Sequence, residues 1–76
     1  MQLLIDIGNT RIKWAFASGE GLLGAGEFVH RGCSPFEALA FIDQFTHHPL
    51  AAALVNVAGT QLSDAIAVEL DQRFNC

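Results

Sequence analysis

The sequence predicts an α/β layer on a mixed sheet, with elements in the order β-β-β-α-β-α. Three observations predict it. Short apolar segments bounded by glycine turns fill the first thirty residues. A capping signal at Ser34 then opens a stretch of helical periodicity. An apolar run after Pro49 follows, and beyond it a second stretch whose apolar residues recur every four positions.

Residues 2–7 are a continuous apolar run closed by the turn signal Gly8-Asn9, which suits a buried strand. Alternation then resumes: Ile12, Trp14 and Phe16 fall on one side, Arg11, Lys13 and Ala15 on the other. Ser18-Gly19-Glu20-Gly21 marks a second turn. Residues 22–30 predict a third strand, weakened by Gly24 and Gly26. Together these strands predict an antiparallel meander.

The pattern changes at Ser34-Pro35-Phe36-Glu37. Ser34 is a good N-cap, Pro35 suits the first helical position, and Glu37 can reach back to the Ser34 amide. Ala38, Phe41, Ile42 and Phe45 follow at i, i+3, i+4 and i+7, with Glu37, Asp43, Gln44 and His47 mainly opposite. This predicts an amphipathic helix of about three turns. His47-His48-Pro49 ends it, because the residue before proline avoids the α region. Residues 50–57 predict a buried strand, favoured over a helical alanine run by Pro49 before it and Gly59 after it. Thr60 caps a second helix with Leu62, Ile66, Leu70 and Phe74 along one face. A strand–helix–strand crossover makes its two strands parallel and right-handed. The resulting order is that of a ribonuclease H-like unit. No repeat, linker or low-complexity segment interrupts it.

Composition narrows the function classes. A chain of 76 residues makes one small domain, which buries roughly 60% of its unfolded surface. Hydrophobic residues make up 51% and charged residues only 16%, against about 25% charged in average soluble domains. The surplus of apolar surface predicts packing against further protein, in a longer polypeptide or an oligomer. With net charge −4 and only Arg11, Lys13, Arg31 and Arg73 basic, the chain lacks the clustered basic footprint of a nucleic-acid binder. The Arg11/Lys13 pair fits a small anionic ligand better. Cys33 and Cys76 match no metal spacing and read as reduced thiols. The first residues lack a basic region, Asp6 cuts their apolar run short, and no run approaches the ~20 residues of a membrane span. A cytoplasmic protein without membrane contact is expected.

The chemistry concentrates in residues 6–13. Asp6 is a carboxylate in an apolar strand, which is costly unless it is paired, hydrated or metal-bound. At a strand end it can hold Mg²⁺ directly or through water, with the metal bridging phosphate oxygens. Gly8 and Asn9 tolerate positive φ, and tight turns of this kind aim backbone amides into an anion-binding concavity. Thr10 adds a hydroxyl, and Lys13 adds a flexible positive charge on the same side as Arg11. Each has an ordinary structural role when taken singly: a turn acceptor, a plain hairpin, a solvated lysine. An acid, a turn of donors, a hydroxyl and a lysine within eight residues are what a metal–polyphosphate ligand requires.

The string Leu4-Ile5-Asp6-Ile7-Gly8-Asn9-Thr10-Arg11-Ile12-Lys13-Trp14-Ala15 closely resembles the amino-terminal signature of type III pantothenate kinases, also described as the Bvg accessory factor family. Asp6, Gly8, Asn9, Thr10 and Lys13 match the motif without gaps, close behind Met1. The resemblance implies a ribonuclease H-like, actin-like ATPase half-domain over residues 1–76, the amino-terminal part of a kinase domain. It implies transfer of the ATP γ-phosphate to pantothenate, the first step of coenzyme A synthesis. It further implies a divalent cation such as Mg²⁺, a monovalent cation (K⁺ or NH₄⁺), and a homodimer.

By the same resemblance, the segment Asp6-Ile7-Gly8-Asn9-Thr10-Arg11-Ile12-Lys13 is the phosphate-gripping hairpin. Asp6 positions metal and phosphates, Gly8, Asn9 and Thr10 wrap the phosphate tail, and Lys13 neutralises its charge. Family chains are considerably longer than this one. The catalytic base, the pantothenate pocket, the adenine site and the monovalent-cation ligands are therefore expected downstream, and this chain alone is expected to be inactive.

Other residues carry blander expectations. Trp14, Phe16 and Phe28 read as core, as does the Phe36/Phe41/Phe45 cluster. His47-His48 reads as a solvated helix end, His30 beside Arg31 as a strand end, and Asn56 and Gly59 as a strand end leading into a helix. Two other readings of the fold are a non-catalytic regulator acting through a protein or metabolite, and another small-molecule kinase or a phosphatase of the same superfamily.

Overall fold

A computed structural model describes residues 1–55 and 60–76. Three strands come first: β1 (Gln2–Ile7), β2 (Arg11–Ser18) and β3 (Gly21–Val29). A short helix α1 (Pro35–Ala38) runs straight into a 3₁₀ segment (Leu39–Gln44), followed by β4 (Ala51–Val55) and the helix α2 (Thr60–Phe74). The four strands form one mixed sheet in the order β3-β2-β1-β4. β1 and β2 pair antiparallel, as do β2 and β3, while β4 lies parallel to β1. The meander, the parallel crossover and the α/β class all match the sequence expectation. β4 was expected over 50–57, and its residues 56 and 57 lie outside the described residues, as do Asn56 and Gly59.

Alternation decides which face of the sheet is covered. Leu3, Ile5 and Ile7 of β1 and Ile12, Trp14 and Phe16 of β2 are buried, together with Ala38, Phe41, Ile42, Ile66 and Leu70 from the helical layer. Ala52 and Leu54 of β4 and Phe28 of β3 pack at the margin of this core, as do Leu62 and Phe74 of α2. Phe45 is the hinge of the aromatic layer, with ring centroids 5.7 Å from Trp14, 5.3 Å from Phe16 and 5.5 Å from Phe41. Such tilted and edge-on contacts add stabilisation beyond area burial. The sheet's other face carries Leu4, Asp6, Lys13 and Ala15, and Leu22, Val29 and Val55 are among the exposed large apolar residues. The apolar surplus of the composition is thus partly a sheet surface without a covering layer among the described residues.

The first helix differs from expectation. The capping box forms: the Glu37 amide donates to Ser34 Oγ, and the Ser34 amide donates to Glu37 Oε1, both at 3.1 Å. But the α-helical part stops at Ala38, and the rest of the three expected turns is 3₁₀. The burial pattern gives the reason. Ala38 and Phe41 form one row at i, i+3, and Leu39, Ile42 and Phe45 form another. A 3₁₀ segment eclipses residues three apart, so it turns both rows onto the sheet together. Phe36 precedes these rows and is 84% exposed, so it is not the core residue expected of it. Arg73 of α2 braces the 3₁₀ segment, donating to Asp43 at 2.8 Å and to Glu69 at 2.6 Å. His47 packs on Phe16 and His48 packs edge-on against Phe74, so the pair serves as aromatic packing at the helix end. No described helix is long and apolar enough to cross a membrane.

Gly24 and Gly26 do more than weaken β3. Gly26 lies across from Trp14, and a Cβ there would collide with the indole. The pairing slips between Trp14 and Phe16, and Gly24 takes a positive φ of 60° beside that slip. Trp14 therefore needs a bare backbone on its neighbour. Gly26→Ala is expected to lower stability by about 1–3 kcal/mol through overpacking, read as a lower urea midpoint. Glu37 gives a pH signature. Its carboxyl lies below the ordinary glutamate range because it accepts from the Ser34 amide and, second, because of its contact with the Ser34 hydroxyl. Its contribution is complete above the unfolded pKa and is lost as pH falls through the lowered folded value. The stability gap between wild type and Glu37→Ala should therefore shrink on acidification; a pH-independent gap would show that the carboxylate contributes nothing.

Candidate phosphate-binding site

The site grows from the pairing of β1 with β2. Asp6 lies directly across from Lys13, and Ile7 across from Ile12. Both isoleucines are buried on the core face. Ile7 and Ile12 therefore anchor the hairpin from inside and can offer the site only main-chain groups. Asp6 is half-buried and Lys13 exposed, both on the open face. No ion pair within 4 Å joins them among the described residues, so both charges remain available.

Gly8, Asn9 and Thr10 link the strands. The Gly8 amide donates to the Arg11 carbonyl at 2.9 Å and closes the turn. Positive φ was expected at Gly8 and Asn9, and neither has it. Gly8 is needed for proximity instead, since a Cβ there would sit 3.3 Å from the Arg11 carbonyl oxygen. The Gly8 carbonyl meets His30 Nε2 instead of the Arg11 amide, so only one of the two bonds of a tight two-residue loop forms and the turn closes without left-handed residues.

Six of the eight expected site residues line one hollow of about 290 Å³: Asp6, Gly8, Asn9, Thr10, Arg11 and Lys13. It carries two cations against one carboxylate. Among the described residues, the amides of Asn9 and Thr10 donate to no other group. Unpaired neighbouring amides and a positive charge balance are what a small anion needs. No cluster of three His, Cys, Asp or Glu side chains able to hold a metal is present among the described residues. A divalent ion here would rest on Asp6, water and ligand oxygens, a donor set that suits Mg²⁺.

Sequence reasoning missed His30. It reads as a strand end, but its Nε2 lies 2.7 Å from the Gly8 carbonyl, and its amide donates to the Thr10 carbonyl at 2.9 Å. Sequence alone carries no signal for a contact spanning 22 positions. His30 lines a second hollow of about 330 Å³, on the core side of the turn, with Asn9, Cys33, Ser34 and the start of α2.

The chain is 42% identical over 72 residues to a type III pantothenate kinase of Aromatoleum aromaticum, an alignment covering 92% of this chain. It is 41% identical over 73 residues to one of Paraburkholderia phytofirmans and 38% identical over 77 residues to one of Burkholderia vietnamiensis, each covering 95% of this chain. The chain is a relative of the type III pantothenate kinases. It spans only about a quarter of their length: 28%, 25% and 27% respectively. No family model matches it.

The turn itself can be tested without any ligand. Gly8→Ala should displace the Arg11 carbonyl by a few tenths of an ångström and destabilise the chain by about 1 kcal/mol. Amide shifts confined to residues near the turn are the expected readout, and an unchanged spectrum there would contradict the close approach.

Proposed function

We propose that this chain is the phosphate-gripping part of a pantothenate kinase, the enzyme that transfers the γ-phosphate of ATP to pantothenate in the first step of coenzyme A synthesis. One observation carries the reading. The hollow at the β1–β2 turn gathers Asp6, Gly8, Asn9, Thr10, Arg11 and Lys13 in a chain with type III pantothenate kinases as relatives. Phosphoryl transfer asks little covalent chemistry of a protein. It asks for positioning and for charge stabilisation.

The residues divide that work. Lys13 and Arg11 offset the charge of the phosphate chain. The amides of Asn9 and Thr10 and the Thr10 hydroxyl provide donors with fixed spacing. Asp6 would hold a divalent cation, directly or through water, and such an ion would supply charge neutralisation at the phosphates. Ile7 and Ile12 keep the turn rigid from the core side. The catalytic base, the pantothenate pocket, the adenine site and the monovalent-cation ligands are proposed to lie outside this chain.

The finer fold assignment belongs to the same reading. Three hairpin-linked strands, a helical crossover and a strand parallel to β1 support a ribonuclease H-like, actin-like half-domain over residues 1–76. A homodimer and dependence on K⁺ or NH₄⁺ rest on the family resemblance alone.

The test is steady-state kinetics of the full-length gene product with ATP, Mg²⁺ and pantothenate. Asp6→Ala is expected to lower kcat/KM by about a hundredfold or more, and Lys13→Ala by roughly tenfold to a hundredfold, mainly against ATP. An Asp6→Ala enzyme with wild-type kcat/KM would falsify the assignment.

A further inference from the structure

We propose that His30 is a positioning residue for the phosphate-binding turn, holding the turn's carbonyl groups away from the anion. The inference rests on reading the 290 Å³ hollow as a phosphate site. It adds a residue from outside the motif and from a different strand end.

A turn that binds phosphate must solve a polarity problem. Each of its peptide groups has an acceptor as well as a donor, and an acceptor facing a phosphate oxygen repels it. Here three of the four acceptors from Gly8 to Arg11 are occupied, and only the Asn9 carbonyl has no donor among the described residues. The Gly8 carbonyl accepts from His30 Nε2 at 2.7 Å, the Thr10 carbonyl accepts from the His30 amide at 2.9 Å, and the Arg11 carbonyl accepts from the Gly8 amide at 2.9 Å. Two donors are free, since the amides of Asn9 and Thr10 have no acceptor among the described residues. His30 thus supplies two of the three bonds that create this imbalance.

Its position fits the role. His30 lines the hollow on the core side and not the one that holds Asp6 and Lys13. A carbonyl bonded to it is drawn toward the core side of the turn. Because a carbonyl can only accept, the ring must carry its proton on Nε2. The neutral Nε2–H tautomer and the imidazolium both meet this requirement. The backbone that carries the ring is held by the Cys33 amide, which donates to the His30 carbonyl at 2.9 Å.

The test uses the 76-residue chain with Mg²⁺ and inorganic tripolyphosphate as the probe, followed through the amide signals of Gly8, Asn9 and Thr10. His30→Ala should weaken binding by about five- to tenfold, the loss of one hydrogen bond's worth of organisation. His30→Gln, whose amide reaches as far as Nε2, should restore affinity to within about twofold. A purely structural role would lower the melting temperature of both variants without separating their affinities. Wild-type affinity in a folded His30→Ala chain overturns the role of His30 and leaves the phosphate site standing. Failure of wild type to bind tripolyphosphate overturns the phosphate reading and the role of His30 with it. Should His30→Ala not fold, the wild-type ring decides: long-range ¹⁵N–¹H spectra are expected to show the Nε2–H tautomer, and an Nδ1–H tautomer overturns the proposal.

Discussion

Ile7 lies across from Ile12, and Asp6 across from Lys13, because β1 and β2 pair in one register. A slip of one residue would turn every side chain of a strand to the opposite face. Leu3, Ile5 and Ile7 would leave the core, and Asp6 would enter it as an unpaired buried carboxylate. Burial on one face therefore fixes the register, and the register fixes the site. The two isoleucines flanking the turn are fully buried, so the short link between them is held from beneath. The same energy that folds the chain aligns an acid and a lysine at its edge.

The site's polarity comes from farther away. β3 returns along β2 and delivers His30 to the turn, where its ring and amide engage the Gly8 and Thr10 carbonyls. This return depends on glycines. Gly26 makes room for the Trp14 indole, and Gly24 takes the positive φ beside the slip in pairing. Core packing around Trp14 and the electrostatics of the turn are thus linked through one strand. The sheet's other face, with Leu4, Ala15 and Val55 near Asp6 and Lys13, accounts for part of the apolar surplus. It fits a chain that spans a quarter of the length of its relatives.

Much of this was legible in the residues themselves. The period-two pattern of Ile12, Trp14 and Phe16 gave β2 and its buried face, and the Ser34–Glu37 capping box gave the start of α1. The four-residue recurrence of Leu62, Ile66, Leu70 and Phe74 gave the inner face of α2. These signals are local: each needs only neighbours within one or two turns. The 3₁₀ continuation after Ala38 was not legible, because i, i+3, i+4 spacing suits an α-helix as well. Only packing of Phe41 and Phe45 against Trp14 and Phe16 of the sheet chose between them. Phe36 was misplaced for the same reason, since helical periodicity names a face without saying where the sheet ends.

What the sequence by itself determined is the element order, the identity of the core strands, and a motif of acid, turn, hydroxyl and lysine within eight residues. These follow from spacing along the chain, where hydrophobic period and turn chemistry act over short range. The tertiary structure decided that Asp6, Asn9, Thr10, Arg11 and Lys13 share one hollow, that the turn closes without positive φ, and that His30 joins it across 22 positions. Those outcomes depend on strand pairing and on which carbonyl finds which donor, and both are settled only when distant segments compete for the same partners.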